Sequence, residues 1–388
     1  MDRKQTKRTI TVFALASFLN DLGSDMIYPI WPMFITVGLG ASVFVLGLLD
    51  GLGDALVSLS QAASGYVSDR IRKRKVFVWL GYLLGSGSRV GYALSATWQH
   101  VIPFRVLDRA GKMRGAPRDA IVADVSSREN RGTHFGVLRA MDNMGAVCGI
   151  LVCIALFGVL GYRSLFLLAA LPSAAGAVLI FLLIREAKPD GTRVYKGISF
   201  SDLDRNFKLF LFLSALFALG SFSYSFLLLY ANRLGFQFGF LPVLYLVFTA
   251  VASVSSLPFG RLADRIGRRT VLMISFLLWG LVCLCLAFFR NRGAVVAAFV
   301  LYGLHRGAIE PVQKAFVSEL APRAYRASSL GGFQMVVGLC ALPSSLLAGL
   351  LWDRVGVFVP LYLSIGLTAM ASALLLMVKE GGVGGKDG

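Results

Sequence analysis

Apolar residues run along this chain in long blocks, separated by short polar stretches. Window by window, the blocks predict twelve helices, at roughly 10–38, 43–68, 76–96, 99–120, 132–160 and 163–185, then 207–233, 239–263, 270–289, 293–317, 327–352 and 357–379. Such blocks suit the ~20 residues a helix needs to cross the hydrocarbon core of a bilayer. The only long polar connection, REAKPDGTRVYKGISFSDLDRNFK (185–208), falls between the sixth and seventh blocks. It divides the chain into a six-helix bundle over 1–185, a linker over 186–206 and a second six-helix bundle with a short tail over 207–388.

Interruptions in the pattern carry the chemistry. Helix one contains FLNDLGSDMIYPIWPMF (18–34), where Asp21, Asp25, Tyr28 and Pro32 stand at i, i+4, i+7 and i+11, with Asn20 and Ser24 beside that stripe. Pro29 and Pro32 are expected to bend the helix just outward of the acids. Helix two repeats the arrangement with Asp50, Asp54, Ser58 and Gln61, and helix three adds Arg89. Helix four carries Arg105, Asp108, Arg109, Lys112, Arg114, Arg118 and Asp119, and helix five Arg139, Asp142 and Asn143. The second half contributes His305, Arg306, Glu310 and Lys314, all on helix ten. Ionisable groups at membrane depth are costly and point to function by default. At ~1.5 Å of rise per residue, Asp50, Arg89 and Arg105 share an outer layer in which Asp50 and Arg89 are expected to pair. Asp25, Lys112, His305 and Arg306 fall near the midplane. There desolvation disfavours a carboxylate and a cationic neighbour favours it, so such a group can be tuned to trade a proton. Repulsion between Asp21 and Asp25 favours a proton on one of them.

Composition fixes the class. The chain is 56% hydrophobic and 15% charged, with a mean hydropathy of +0.70, which makes it an integral membrane protein. The apolar run behind MDRKQTKR is too long for a signal peptide and reads as a retained first span. The net charge of +18 comes from Lys and Arg gathered in alternate loops: the N-terminus, DRIRKRK, the 185–208 segment, Arg261 to Arg269, and Arg323 with Arg326. VGLGAS and TWQH carry no charge. The positive-inside rule then places both termini and the linker in the cytoplasm, and nucleic acid is not an expected partner. All five cysteines lie in apolar runs without metal-site company, so no metal site is expected and they read as packing residues. No GxxxxGK[ST] loop, nucleophile–base pair or cofactor loop is present, so neither an enzyme nor an ATP-driven pump is expected, and no cofactor.

The chain also repeats itself. GYVSDR (65–70) matches GRLADR (260–265), and the same offset carries Asp124 onto Glu319, Arg131 onto Arg326 and Gly136 onto Gly331. Two parallel six-helix repeats follow. With these features the whole chain resembles the major facilitator superfamily, whose mark is G-x-x-x-D-R-x-G-R-[KR]. GRLADRIGRR (260–269) is complete, while GYVSDRIRKRK (65–75) has Arg72 at the second glycine position. The resemblance implies alternating access, with a cavity lined by helices one, four, seven and ten. It also implies a cytoplasmic latch formed by Gly65, Asp69, Arg70, Gly260, Asp264, Arg265, Gly267 and Arg268. An aspartate of each copy would meet a helix N-terminus of the other half, near 327–329 for Asp69 and 132–134 for Asp264. A second family motif, R-x-x-Q-G-x-G, is met by RVLDRAG (105–111) only at Arg105 and Gly111. The antiporter pattern G-x-x-x-G-P is half present, as Gly145 and Gly149 followed by Ile150. That glycine pair equally suits close helix packing.

The expected function is secondary active transport, with proton-coupled export of a small amphipathic or charged organic solute, a drug or metabolite. The alternatives are uptake of a solute, metal or metal chelate and, in another class, a membrane sensor or lipid flippase. Proton-coupling candidates are Asp25 first, then Asp21, Asp54, Arg105 and Asp108. Substrate-cavity candidates are Tyr28, Arg109, Lys112, Asp142, Tyr224, Tyr302, His305, Arg306 and Glu310. The expected partners are a small-molecule substrate, protons and lipid, with the protein a monomer in a bacterial-type inner membrane.

Overall fold

The computed structural model describes residues 3–71, 73–125, 131–184, 204–289, 291–320 and 326–380; the side chains at 3, 4, 69, 70, 123, 131–133, 135, 136, 318 and 326–328 lie outside that description. Helices account for nearly all of it, and no strand occurs among the described residues.

Helix α1, Arg3–Asp25, stops four residues before Pro29. Proline favours such a stop, because the ring lacks an N–H and crowds the carbonyl four residues back. The chain then turns through 26–30 and resumes as Trp31–Met33 and a π-helical turn, Phe34–Gly38. Helix α2 is Val43–Ile71 and α3 is Arg74–Leu94. Helix α4 runs through Trp98–Ala110, a 3-10 turn at Gly111–Arg114 and a last piece, Gly115–Val125. The stretch Arg131–Leu183 is broken at Gly161, whose φ of 64° suits glycine, into α5 (131–160) and α6 (162–183). Helix α7 comes in two parts, Arg205–Gly220 capped by Asp204 and Tyr224–Arg233 capped by Ser223. After them come α8 (Leu241–Ile266), α9 (Arg268–Phe288), α10 (Arg292–Leu320), α11 (Arg326–Arg354) and α12 (Val359–Leu375). Among the described residues, seven stretches are long and apolar enough to cross a membrane: one within α2, one joining α5 to α6, one over both parts of α7, and one each around α8, α9, α10 and α11.

Two compact units emerge. The first gathers Met1–Ala41, Leu52–Tyr195 and Phe238–Val243. Within it α1 lies against α5 and α6, and α3 against α4 and the α5–α6 stretch. Gly145 and Gly149 of α5 face the carbonyls of Phe18 and Leu22 so closely that a Cβ at either position would overlap the α1 backbone. The half-present antiporter pattern is thus, in this fold, a backbone-to-backbone helix contact. Phe13, Val78, Tyr82, Val122 and Ile180 belong to the buried core of this unit.

The second unit gathers Ser42–Gly51, Lys196–Gln237 and Leu244–Gly388. Helix α9 packs on α10 and α12, and α7 on α11 and α12. Its core is aromatic: Phe217 stacks on Phe276 at 4.0 Å and Phe210 on Phe333 at 5.5 Å. Trp279 Nε1 donates to Ser364 Oγ (2.8 Å), and Ser364 donates to the Gly220 carbonyl (2.5 Å). The start of α2 belongs here, with Gly47 and Gly51 against Ser345 and Leu342 of α11, and Gly349 against Phe44. The Phe44 N–H donates to Asp353 Oδ2 (2.8 Å).

Candidate functional site

The buried charges of the first unit form three groups along α1 and α4. Arg89 of α3 anchors the first, 2% exposed, beside the middle of the α1 stripe at Asn20 and Ser24. Its Nη1 donates to the Ala169 carbonyl (2.8 Å) and to Ser173 Oγ, and its Nη2 to Ser24 Oγ (2.7 Å) and the Asn20 carbonyl (3.2 Å). Gly23 makes room, since a Cβ there would strike Arg89 and the Ala169 carbonyl. Ser173 in turn donates to Asn20 Oδ1 (3.1 Å), and Asn20 Nδ2 to Asp21 Oδ1 (2.8 Å). Neutral oxygens of α1 and α6 satisfy the guanidinium, while Asp50, buried in the second unit, accepts from Ser223 Oγ (2.8 Å).

A second group centres on α4. Arg105 lies over the Trp31 ring (4.3 Å) and Arg109 over the Tyr28 ring (5.3 Å). The turn after α1 supplies Tyr28 and the short helix that follows it supplies Trp31, so the proline-marked break holds the platform on which these cations lie. Asp108 Oδ2 is 3.5 Å from Arg109 Nε, and Arg109 Nη1 reaches the Tyr28 hydroxyl at 3.5 Å. Gly53 of α2 faces both guanidiniums, its Cβ direction 3.1 Å from Arg109 Nε and 3.3 Å from Arg105 Nε. Asp25 is buried, Lys112 half-buried and Asp54 exposed.

The third group lies one to two turns further along α4. Arg118 donates to Asp119 Oδ1 (3.0 Å) and Ser17 Oγ (2.7 Å) and stands 3.6 Å from Asp142 Oδ1. Arg139 approaches the other Asp142 oxygen at 3.7 Å. Half-buried Asp21 acts electrostatically on Asp142, adding a like charge. Arg114 covers the Tyr82 ring at 4.8 Å.

In the second unit the predicted aromatics form a chain. Tyr224 contacts Tyr245 (5.2 Å) and Phe248 contacts Tyr302 (5.1 Å), which meets Trp279 (5.7 Å). His305 is buried rather than lining open space: its Nδ1 lies 2.9 Å from Ser275 Oγ, and Phe217 and Trp279 pack on its ring. Arg306 and Glu310, one turn apart, are exposed and paired with each other.

At the complete motif copy, Gly267 (φ 95°) ends α8 and opens α9. Glu380 accepts from the N–H groups of Arg268 and Arg269, and a Cβ at Gly267 would crowd it. Arg268 pairs with Glu319 and lies 3.7 Å from Asp264, which is 70% exposed; Arg265 is exposed and Gly260 has open space around it. In the first copy Gly65 is half-buried, while the side chains of Asp69 and Arg70, like those at 327 and 328, lie outside the described residues. Ser173, Trp31, Tyr82, Gly23 and Glu380 escape a sequence reading. The first four look like ordinary members of apolar helices and the last like part of a tail.

The family model of the Major Facilitator Superfamily matches residues 13–257 and 210–387. An uncharacterised MFS-type transporter of Methanocaldococcus jannaschii is 35% identical over 383 residues, covering 96% of this chain and 95% of that one. The class C tetracycline resistance protein of Escherichia coli is 27% identical over 195 residues, 47% of each chain. Among solved structures, an inward-facing, occupied bacterial homologue of the human lysosomal transporter Spinster shares the fold, with a TM-score of 0.79 and 15% identity over 97% of both chains. A family model spanning nearly the whole sequence and a relative similar from end to end leave one conclusion: the chain belongs to the major facilitator superfamily and is a multi-pass membrane transporter of small molecules.

Proposed function

We propose that this transporter couples proton movement to the export of a small amphipathic or charged organic solute across a bacterial-type inner membrane. In this reading twelve spans hold both termini in the cytoplasm, the protein works as a monomer, and the motif aspartates Asp69 and Asp264 latch the cytoplasmic side. The observation that carries the coupling is the buried carboxylate and guanidinium set on α1, α4 and α5, within helices that are otherwise apolar. Charges retained at such depth are costly unless they serve transport. Asp25, buried at the last turn of α1 beside the proline break, is the preferred proton carrier. The likeness to a tetracycline resistance protein favours export and an amphipathic cargo.

Proteoliposomes separate export from uptake by the polarity of an imposed pH gradient. An acid lumen should drive accumulation of a probe such as tetracycline by exchange for protons, whereas an acid exterior would do so for a symporter. Asp25→Asn should abolish gradient-driven accumulation while leaving protein yield and gel-filtration behaviour unchanged. Equal pH-driven flux in the variant would remove Asp25 from the coupling role.

A further inference from the structure

Arg109 is 9% exposed, yet its guanidinium is poorly supplied with acceptors. Five N–H donors project from such a group. The structure gives them one long hydrogen bond, to the Tyr28 hydroxyl at 3.5 Å, and Nε has no hydrogen-bond partner. Asp108 balances part of the charge at 3.5 Å but does not fill the donors. On α2 the residue against Arg109 is Gly53, which offers no side-chain acceptor, while Asp54 beside that glycine acts on the guanidinium through charge without a hydrogen bond to it. Arg89, in the same unit, shows what saturation looks like, with oxygens of Ala169, Ser173, Ser24 and Asn20 around its two terminal nitrogens.

A buried cation with unfilled, coplanar donors is the complement of a carboxylate, which accepts two parallel N–H bonds from a guanidinium fork. The flanking surfaces are aromatic: Tyr28 under Arg109 and Trp31 under Arg105. Lys112, one turn on, adds positive charge near Asp108. We infer that Arg109 docks the anionic head of the transported solute, and that the solute is a small organic carboxylate with an apolar body resting on the Tyr28 side. This assignment rests on the transport reading and narrows its cargo.

The test uses full-length purified protein in detergent, with benzoate, citrate and inorganic phosphate as anionic probes and benzamide as the uncharged match for benzoate. A carboxylate probe should raise the melting temperature of the wild type, and benzamide should not. Arg109→Lys keeps the charge but loses the fork, and should weaken carboxylate binding at least tenfold; Arg109→Gln should abolish it. Phosphate alone shifting the protein would assign the site to tetrahedral anions and overturn the carboxylate. Equal shifts with benzamide, equal binding by Arg109→Gln, or no shift with any anion would overturn the anion site. Should Arg109→Gln fail to fold, Arg109→Lys decides. Flux in proteoliposomes keeps the two claims apart. Arg109-dependent binding without flux leaves the anion site and removes transport, whereas flux of a neutral or cationic solute that survives Arg109→Gln does the reverse.

Discussion

Arg89 and Arg109 are the same residue type, equally deep in apolar helices, and the structure uses them differently. Arg89 ties three helices together through neutral oxygens of Asn20, Ser24, Ala169 and Ser173. Its removal strands all of those acceptors, because hydrogen bonds to a charged group are each worth roughly 1.5–3 kcal/mol. Arg89→Met should therefore destabilise the protein by about 3 kcal/mol or more. Arg109→Met strips buried Asp108 of its nearest cation, and should cost less in the double variant with Asp108→Asn than alone. Thermal unfolding of all three variants in the same detergent checks the order. The sequence announces both arginines, and Asn20, Ser24 and Asp25 with them, because polar residues stand out in an apolar run. What each arginine binds was not legible. Two of the Arg89 acceptors are backbone carbonyls, which every residue has, and Ser173 is one of two serines in a mostly apolar helix.

At the level of elements, periodicity located the helices well and their breaks poorly. The gap predicted between the fifth and sixth helices shrinks to one residue, Gly161, and the seventh helix is interrupted at 221–223. An apolar average cannot see either feature, since both depend on one backbone torsion or one serine cap. The break near Pro29 is the exception, because a proline announces a bend or stop in the sequence, although Pro103, Pro172, Pro258, Pro311 and Pro343 lie inside helices that continue through them. The α1–α5 contact offers a graded test. Gly149→Ala pushes a methyl into the Leu22 carbonyl and should cost about 1–3 kcal/mol by overpacking, and Gly149→Leu should yield no folded protein. Gly158, on the same helix with open space around it, is the control: Gly158→Ala should be neutral or stabilise by up to ~1 kcal/mol. Melting curves followed by gel filtration measure all three.

At the scale of the molecule, the fold class and family were legible because they rest on many weak signals that agree: span lengths, the loop charges and a motif occurring twice. The arrangement of charges inside the membrane was not, because it depends on which helix faces which. Orientation itself has a direct test. In a background lacking the native cysteines, Ser42→Cys and Thr97→Cys should react with an impermeant maleimide added outside intact cells, and Asp190→Cys only after the membrane is opened. The reverse pattern would invert the proposed topology.

The mixed membership of α2 bears on how the chain is made. Its first residues, through Gly51, belong with α11, whose Leu342 and Ser345 are close to 300 positions downstream. At a synthesis rate of ~5–20 residues per second, that face of α2 waits roughly 15–60 seconds for its partner. During that interval two glycines and Asp50 stand in the membrane without the α11 groups and Ser223 that later cover them. A ribosome-bound intermediate would present this stretch to lipid or to an insertion chaperone. The end of α2 nearest the start of synthesis is thus among the last parts of the protein to reach its final neighbours.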